Sequence, residues 1–363
     1  MSFRKGIKII FLVPYPFNSA PGQRFRYEQY ISQLKEVGAI VRIFPFLSNK
    51  ANGLLYKSGH VIKKFLYVSL GFVKRVLTLY ASSGADFIFI FREATPIGPP
   101  FIEWIIARIF RKKIIYDFDD AIWSTDRKKE SVLLRTIKWR SKVATICRWS
   151  HKVSCGNEYL CAFAKQFNDN VVYNPTTIDT ELLHDPKLYS KRSDDRIIIG
   201  WSGSHSTLKY LNDLESLLQR LEQKYERVDF WIIADKPLEL KLTRLIFKPW
   251  SLESEIVDLA QIDVGIMPLP NDEWTKGKCG FKALQYMALE IPAVVSAVGA
   301  NKKIIDHCVD GFLCGDDSDW LAYLTELIIN ADLRKRIGKQ ARKKIINNYS
   351  VASNSETFLS LFN

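Results

Sequence analysis

Short apolar runs alternate with helix-type patterns along the whole chain, and this alternation constrains the fold more than any other feature. A first series of strand-like runs comprises KIIFLV (8–13), AIVRIFPF (39–46), DFIFIF (86–91), KKIIYDF (112–118), KVSCG (152–156) and NVVYN (170–174). A second series comprises RIIIGWSG (196–203), VDFWIIAD (228–235), RLIFKPW (244–250), DVGIMPL (263–269), PAVVS (292–296) and GFLC (311–314). Strand–helix alternation on this scale predicts an α/β protein with parallel, doubly wound sheets.

Two series of this kind predict two similar domains, which suits a chain of 363 residues. The polar, proline-containing stretch 174–195 separates the series and is the expected connection. We therefore expect an N-terminal domain over residues 1–176 and a C-terminal domain over 177–345, followed by a terminal helix over 346–363.

Positive charge is concentrated in the first half of the chain. Residues 1–176 hold 28 Lys and Arg against 12 Asp and Glu, whereas the remainder holds 24 against 27. Such a basic half attracts nucleic acid, anionic membranes or phosphorylated substrates. Because no nucleic-acid motif occurs, we expect no nucleic-acid partner.

Two apolar segments of the basic half, 54–80 and 101–113, are punctuated by Lys and Arg. They are too charged to span a bilayer, but the pattern is typical of interfacial helices. The alternative is two core helices with solvated basic edges. We favour contact with an anionic membrane surface.

The N-terminal apolar run, Ile9–Val13, is too short for a signal peptide or a membrane span. The six cysteines show no paired spacing of the kind that zinc sites use. We therefore expect reduced thiols, no bound metal, and a cytoplasmic protein that is peripheral on the inner face of the plasma membrane.

The segment GWSGSHSTLKYL follows the first strand of the second series, where a doubly wound sheet binds ligands. Gly203 lets a ligand approach the backbone. Ser204 and the free N–H groups of a first helical turn can donate to phosphate oxygens, and Lys209 adds a cation. An ordinary helix N-cap explains the segment equally well.

The segment WTKGKCGFKALQYMA places Lys276, Lys278 and Lys282 around the start of a helix. A helix N-terminus is already positive, so crowded cations repel one another unless an anion joins them. A diphosphate would meet this requirement. The alternative is a solvated basic loop.

Two further segments follow strands of the first series. PGQRFRYEQY contains Gly22, Arg24 and Arg26 but neither a GxGxxG fingerprint nor a P-loop. Its arginines can bind carboxylate or phosphate, or lie on the surface at a helix start. In YDFDDAIW, Asp119 and Asp120 end a strand and could act as a base, bind metal, orient sugar hydroxyls or cap the next segment.

Taken together and in order, these segments resemble the family-4 glycosyltransferases, in particular a bacterial polysaccharide-assembly branch. The resemblance rests on VPYPFNSAPGQRFRYEQY, YDFDDAIW, IGWSGSHSTLKYL, PLPNDEWTKGKCGFKALQYMALEIPAVVS and VGANKKIIDHCVDGFL. It implies a GT-B-type α/β fold, in which two Rossmann-like doubly wound domains face each other across a cleft. It also implies that the terminal helix crosses back to the first domain.

The resemblance implies roles for individual residues. On the donor side it implicates Gly22, Gly203, Ser204, His205, Lys209, Gly280, Phe281 and Gln285, and as catalytic groups Asp119, Asp120, Lys278 and Lys282. We assign Arg24, Arg26, Arg92 and Glu93 to the acceptor side. Relatives carry two glutamates eight positions apart where this chain has Gly277 and Gln285. An amide can still hydrogen-bond ribose hydroxyls, whereas the role of the first glutamate would have to pass to Asp272 or Glu273.

The implied activity is retaining transfer of a sugar from a nucleoside-diphosphate sugar to a lipid-linked or saccharide acceptor in surface polysaccharide biosynthesis. The nucleotide sugar is a co-substrate, and neither a cofactor nor a metal is expected. Two alternatives stay open. A nucleotide-sugar epimerase would form product without an acceptor, and a catalytically silent GT-B module would bind nucleotide without transferring sugar.

Overall fold

The computed structural model describes residues 5–55, 57, 59–125 and 131–363. Two compact units make up the chain: residues up to Thr176 together with Asn354–Asn363 form unit 1, and Thr177–Ser353 form unit 2. Each unit contains a parallel six-stranded sheet with interleaved helices. The predicted α/β class with two doubly wound sheets is therefore confirmed.

The sheet of unit 1 has the order β2-β1-β3-β4-β5-β6. Its strands are β1 Lys8–Val13, β2 Ile40–Pro45, β3 Phe87–Phe91, β4 Lys113–Phe118, β5 Lys152–Cys155 and β6 Val171–Tyr173. Its helices are α1 Pro21–Arg24, α2 Ile31–Glu36, α3 Asn49–Leu55, α4 Val61–Ser83, α5 Phe101–Trp104, α6 Val132–Lys138, α7 Lys142–Trp149 and α8 Glu158–Ala164, with a 3₁₀ turn at Glu28–Tyr30 and a π-helical turn at Ile105–Ile109.

The sheet of unit 2 has the order β12-β11-β10-β7-β8-β9. Its strands are β7 Ile197–Gly203, β8 Val228–Ala234, β9 Leu245–Pro249, β10 Val264–Met267, β11 Ala293–Ser296 and β12 Phe312–Cys314. Its helices are α9 His205–Leu208, α10 Glu215–Lys224, α11 Glu255–Leu259, α12 Glu273–Lys276, α13 Phe281–Ala288, α14 Asn301–Ile304, α15 Asp317–Ile329 and α16 Ala331–Lys344, with 3₁₀ turns at Pro186–Leu188 and Lys209–Leu214 and a π-helical turn at Ile345–Tyr349.

The last helix, α17 Val351–Leu359, and the 3₁₀ turn Ser360–Phe362 place the chain's end in unit 1. Phe358 stacks on Tyr30 with ring centroids 4.4 Å apart. Phe362 lies 6.2 Å from Phe89 of the central strand β3. Aromatic packing of this kind fixes the terminal segment to the core of unit 1.

The helix-type pattern of RFRYEQYISQLKEVG, residues 24–38, does not form one continuous helix. The structure has α1, then the short 3₁₀ turn, and a regular helix only from Ile31. Gln23 of α1 is buried, and its amide donates to the carbonyl oxygen of Tyr15 at 3.0 Å and to Glu28 at 3.0 Å. These polar contacts hold the segment after β1 in a turn and delay the regular helix.

The predicted interfacial segment 54–80 forms α4 from Val61 onward, while Tyr56 and Ser58 lie outside the described residues. Among the described residues, no helix combines the length and the hydropathy needed to cross a bilayer.

Tyr286 of α13 joins the two strands at which the order of the second sheet reverses, β7 and β10. The amide of Ser202 donates to the Tyr286 hydroxyl at 3.0 Å, and that hydroxyl donates to the carbonyl oxygen of Ile266 at 3.4 Å. Gly265 makes room for the ring, because a Cβ atom there would lie 2.3 Å from it. Burial raises the pKa of Tyr286, although the bond from Ser202 opposes this, so the hydroxyl keeps its proton at neutral pH.

We predict that Tyr286→Phe lowers the free energy of unfolding by about 1–2 kcal/mol, because it leaves the buried amide of Ser202 without its acceptor. Tyr80→Phe is the matched control, since Tyr80 is 89% exposed and its hydroxyl change should cost under about 0.5 kcal/mol. Urea unfolding followed by circular dichroism measures both. Equal stability of the two variants would show that the Tyr286 hydroxyl does not hold these strands.

Candidate functional site

The carboxyl ends of β7 and β10 flank the switch point of the second sheet, where doubly wound folds bind ligands. β7 ends at Gly203, and α13 begins at Phe281. A Cβ atom at Gly203 would lie 2.7 Å from Cε of Lys282 and 2.6 Å from the ring of Trp201. The glycine therefore lets the lysine and the strand end lie in direct contact.

Lys282 is held by an aromatic face. Its Nζ atom lies 5.1 Å from the centroid of the Trp201 ring, in cation–π geometry. Trp201 itself is buried and belongs to the core of unit 2. A cation is thus fixed beside the end of β7 by a side chain that cannot easily move.

The start of α13 requires a glycine. Gly280 is the N-cap and has φ +68°, in the left-handed region. A Cβ atom there would also lie 2.2 Å from Cδ1 of Ile304. This backbone turn directs the first N–H groups of α13, which have no intrahelical acceptor, out of the helix end. Phe281, the first residue of the helix, is partly exposed.

Lys278 precedes this helix and lies over a second indole. Its Nζ atom is 5.2 Å from the ring centroid of Trp274. Asp272, considered above as a substitute for the missing glutamate, instead caps α12, where its carboxylate accepts the amide of Thr275 at 2.8 Å. Glu273 is exposed in the first turn of that helix, and Gly277 is buried.

Ser204 and His205 form the start of α9 directly after β7. Ser204 is the N-cap, and its hydroxyl lies 2.8 Å from that of Ser206. Asp235, which follows β8, accepts the backbone amide of His205 at 2.6 Å and lies 2.6 Å from its Nδ1 atom. Lys209 is exposed one turn later and lies 5.3 Å from the ring centroid of Tyr210.

Gln285 occupies a buried polar cluster. Its side chain is 2% exposed, and its amide nitrogen lies 3.2 Å from Oε1 of Glu255 and 3.4 Å from Nε2 of His184. The suggestion that Gln285 binds ribose stays a prediction. In this structure its amide has protein partners.

A second cluster lies in unit 1, where β3 and β4 end. The Nε atom of Arg92 donates to Asp119 at 2.7 Å, and its Nη2 atom donates to Asp120 at 2.6 Å. Gly22 adjoins them, because a Cβ atom there would lie 2.9 Å from Oδ2 of Asp119. The structure thus brings together four residues proposed from separate segments of sequence. One guanidinium is shared by two carboxylates, so the trio carries a net negative charge.

Arg92 adopts φ +60°, a left-handed conformation that is uncommon for a side chain of this size. Its amide donates to the carbonyl oxygen of Asp117 at 2.7 Å, and its own carbonyl accepts the Tyr116 hydroxyl at 2.7 Å. The conformation is therefore fixed by the ends of β3 and β4. It turns the guanidinium toward the two aspartates.

Arg26, which we assign to the acceptor side from the sequence, is buried inside unit 1 in this structure. Its side chain is 1% exposed and forms a two-pronged ion pair with Asp117, in which Nε lies 3.2 Å from Oδ2. It also donates to the carbonyl of Asn174 and contacts Ser154. Arg26 therefore joins β4, β5 and the end of β6 inside unit 1.

The other two acceptor-side candidates have contacts within unit 1. The guanidinium of Arg24 lies 5.0 Å from the ring centroid of Phe25. Glu93 pairs with Lys142 at 2.7 Å. Among the described residues, no group of three or more His, Cys, Asp or Glu side chains is arranged to hold a metal ion.

Comparison with solved structures identifies the architecture. Sucrose-phosphate synthase from Thermosynechococcus elongatus matches with a TM-score of 0.71 at 15% identity, covering 99% of this chain and 98% of that one. A glycosyltransferase from Rickettsia africae matches with 0.69 at 13%, covering 99% and 98%. Anabaena HepE in complex with UDP-glucose matches with 0.66 at 14%, covering 98% of each.

The fold is that of the GT-B glycosyltransferases. At these identities the likeness shows the fold alone. Residues 196–330, which lie in unit 2 and include most of the site around Gly203 and Lys282, match the family profile of glycosyl transferases group 1. No curated protein matches the chain by sequence.

Several residues of these clusters were missed by sequence reasoning. Trp201 and Trp274 orient the two lysines, and Asp235 holds the start of α9. The signal for Asp235 was present, since an acidic residue directly after a buried strand commonly serves the site. Trp201 and Lys282 are 81 positions apart. The residues around Trp201 in the sequence do not indicate that its indole contacts this lysine.

We predict that Arg26→Ala lowers the free energy of unfolding by about 3–5 kcal/mol, because it leaves the buried Asp117 carboxylate without its partner. Arg24→Ala, two residues away and partly exposed, should cost no more than about 1 kcal/mol. Chemical unfolding of both variants measures the difference. Equal losses would mean that the buried ion pair does not support unit 1.

Proposed function

We propose that this protein is a glycosyltransferase that uses a nucleoside-diphosphate sugar as donor. The observation that carries the proposal is the contact of Lys282 with Gly203, where the end of β7 meets the start of α13. A fixed cation, a glycine without side-chain bulk and a helix N-terminus together suit a diphosphate. The family profile covers this region. HepE binds UDP-glucose, and an Arabidopsis starch synthase IV domain of similar fold binds ADP.

In the proposed reaction the bond between the anomeric carbon and the β-phosphate oxygen breaks, and a bond to the acceptor oxygen forms. The acceptor proton passes to an oxygen of the departing phosphate on the same face of the sugar, so the anomeric configuration is retained. Negative charge grows on the leaving diphosphate. Lys278, Lys282 and the first amides of α13 stabilise that charge, each well-placed group contributing about 3 kcal/mol.

The proposed acceptor is a hydroxyl of a lipid-linked or other saccharide in surface polysaccharide biosynthesis, on the inner face of the plasma membrane. Neither a metal nor a further cofactor has a role in this scheme, because lysines and amides neutralise the leaving group. Asp119 and Asp120 stay candidates for contact with the sugar. Their shared ion pair with Arg92 orients both carboxylates in unit 1.

We predict that nucleoside diphosphates with one particular base, and their sugar conjugates, raise the melting temperature of the protein. A thermal-shift panel of nucleoside diphosphates and nucleoside-diphosphate sugars measures this. A ligand present at about 100 times its Kd stabilises the native state by about 2.7 kcal/mol. Lys282→Ala should reduce the shift, whereas Lys335→Ala, an exposed lysine of α16, should not. A panel without any shift would contradict the donor site.

We predict that Lys278→Ala lowers kcat about 100-fold while changing the Kd of the donor much less, because the charge that Lys278 neutralises grows in the transition state. Single-turnover kinetics with a labelled donor separates the two effects. Unchanged turnover would remove Lys278 from the mechanism. Nucleotide binding without sugar transfer would indicate a silent module, product formed without acceptor would indicate an epimerase, and loss of activity in chelator would contradict the metal-free scheme.

A further inference from the structure

Helix α4, Val61–Ser83, exposes an apolar face that is unusual for a surface helix. Its fully buried residues in unit 1 are small or polar: Gly71, Arg75, Thr78 and Ser82. Tyr67, Val68 and Phe72 lie partly buried beside them, against the cluster of Phe46, Leu47 and Ala51. The side that it presents to solvent is apolar, and we call its residues the α4 stripe: Ile62, Phe65, Leu66, Leu70, Val73, Val76, Leu77 and Tyr80. Each member of the stripe is more than half exposed, from 54% to 89%. A helix in water normally orients the other way.

The buried side of α4 cannot be exchanged for the stripe by rotation of the helix. Arg75 donates to the carbonyl oxygens of Val13 at 2.9 Å, Phe44 at 2.9 Å and Ala94 at 2.8 Å. These three residues lie close to the carboxyl ends of β1, β2 and β3. A Cβ atom at Gly71 would lie 2.6 Å from the ring of Phe46. The helix therefore has one fixed orientation, with its stripe outward.

The apolar surface continues beyond α4. Helix α5 and the π-helical turn after it pack beside α4. Phe101 is 58% exposed there and Trp104 is 40% exposed, with their ring centroids 6.1 Å apart. Exposed Trp side chains are enriched at the level of lipid headgroups. Exposed apolar residues that extend over neighbouring helices mark an interaction site.

The charged residues of α4 itself are all positive: Lys63, Lys64, Lys74 and Arg75. No Asp or Glu occurs anywhere between Glu36 and Asp86. At 3.6 residues per turn, Lys63 and Lys74 fall on the border between the stripe and the buried side. From there their long side chains can place the ammonium groups at the edge of the stripe. Glu103 of α5 is buried and faces inward. This surface is complementary to an anionic partner.

We propose that the α4 stripe, with Phe101 and Trp104, is the surface by which unit 1 docks on an anionic lipid bilayer, with α4 lying in the interfacial plane. An apolar face bordered by lysines is the pattern of such helices. A second copy of the chain fits less well, because a two-fold interface through this face would bring the same lysines together, and within α4 and α5 the one acidic residue, Glu103, is buried. The inference does not depend on the donor site of unit 2.

The test is flotation of the full chain with vesicles of phosphatidylcholine alone or mixed with phosphatidylglycerol. The wild-type protein should float with the anionic vesicles, less with neutral ones, and less at high salt. Changing Phe65, Leu70 and Leu77 together to Gln should reduce the bound fraction at least about tenfold, because apolar burial is lost. The matched control changes the exposed residues Leu182, Leu188 and Ile329 of unit 2 to Gln and should float normally.

A charge variant keeps the proposal open to refutation if the triple variant does not fold. Changing Lys63 and Lys74 to Gln should lower binding to anionic vesicles and weaken its salt dependence, whereas Lys335→Gln with Lys339→Gln should change neither. Equal flotation of the stripe variant and the wild type would overturn the proposal. Absence of wild-type binding to anionic vesicles would also overturn it. So would a wild-type dimer that binds no vesicles and that becomes monomeric in the stripe variant.

Discussion

The hydroxyl of Tyr286 is the contact on which the geometry of the donor site depends. It accepts from the amide of Ser202 and donates to the carbonyl of Ile266, so that it joins neighbouring strands just before each of them ends. Because Tyr286 lies on α13, the same contact sets the position of the helix start. Lys282, one turn earlier on that helix, is thereby placed against Gly203.

Around this contact, Lys278 and Lys282 each lie over an aromatic face. Two lysines near a positive helix end repel one another, and their stacking over Trp201 and Trp274 keeps them in place. An indole face orients a cation without bringing a negative charge of its own, and a cation oriented at this point suits a diphosphate.

The glycines complete this arrangement, since each occupies a position that a side chain would block. Gly203 admits Lys282, Gly265 admits the ring of Tyr286, and Gly280 permits the left-handed turn before α13. The sequence suggested approach of a ligand at Gly203 and a donor-side role for Gly280, and it gave no role to Gly265. The structure gives each one a specific neighbour.

Much of the fold could be predicted because its signals are local. Buried parallel strands are short β-branched and aromatic runs, and all of the runs proposed from the sequence lie on strands of the two sheets. The long-range polar contacts could not be predicted. Arg26 lies beside a glycine-containing turn that suits a ligand, yet its partner Asp117 is 91 residues away. A residue's own neighbours in sequence do not reveal such a partner.

Contacts between distant segments also decided how much of the sites could be predicted. Gly22, Arg92, Asp119 and Asp120 come from three segments that follow β1, β3 and β4, and these strands are adjacent in the sheet. Their nearness therefore follows from the strand order. The burial of Gln285 with Glu255 and His184 was not foreseeable, since those residues come from separate segments. The outward stripe of α4 was suggested by its pattern, but only the structure shows which side of the helix is buried.

We propose that the start of α13 and the end of β7 hold a diphosphate. A crystal structure of the protein with a bound nucleoside diphosphate would locate that group. We expect the β-phosphate within hydrogen-bonding distance of Nζ of Lys282 and in contact with the backbone at Gly203. A diphosphate bound elsewhere, with Lys282 still resting on Trp201 and touching no phosphate oxygen, would contradict it.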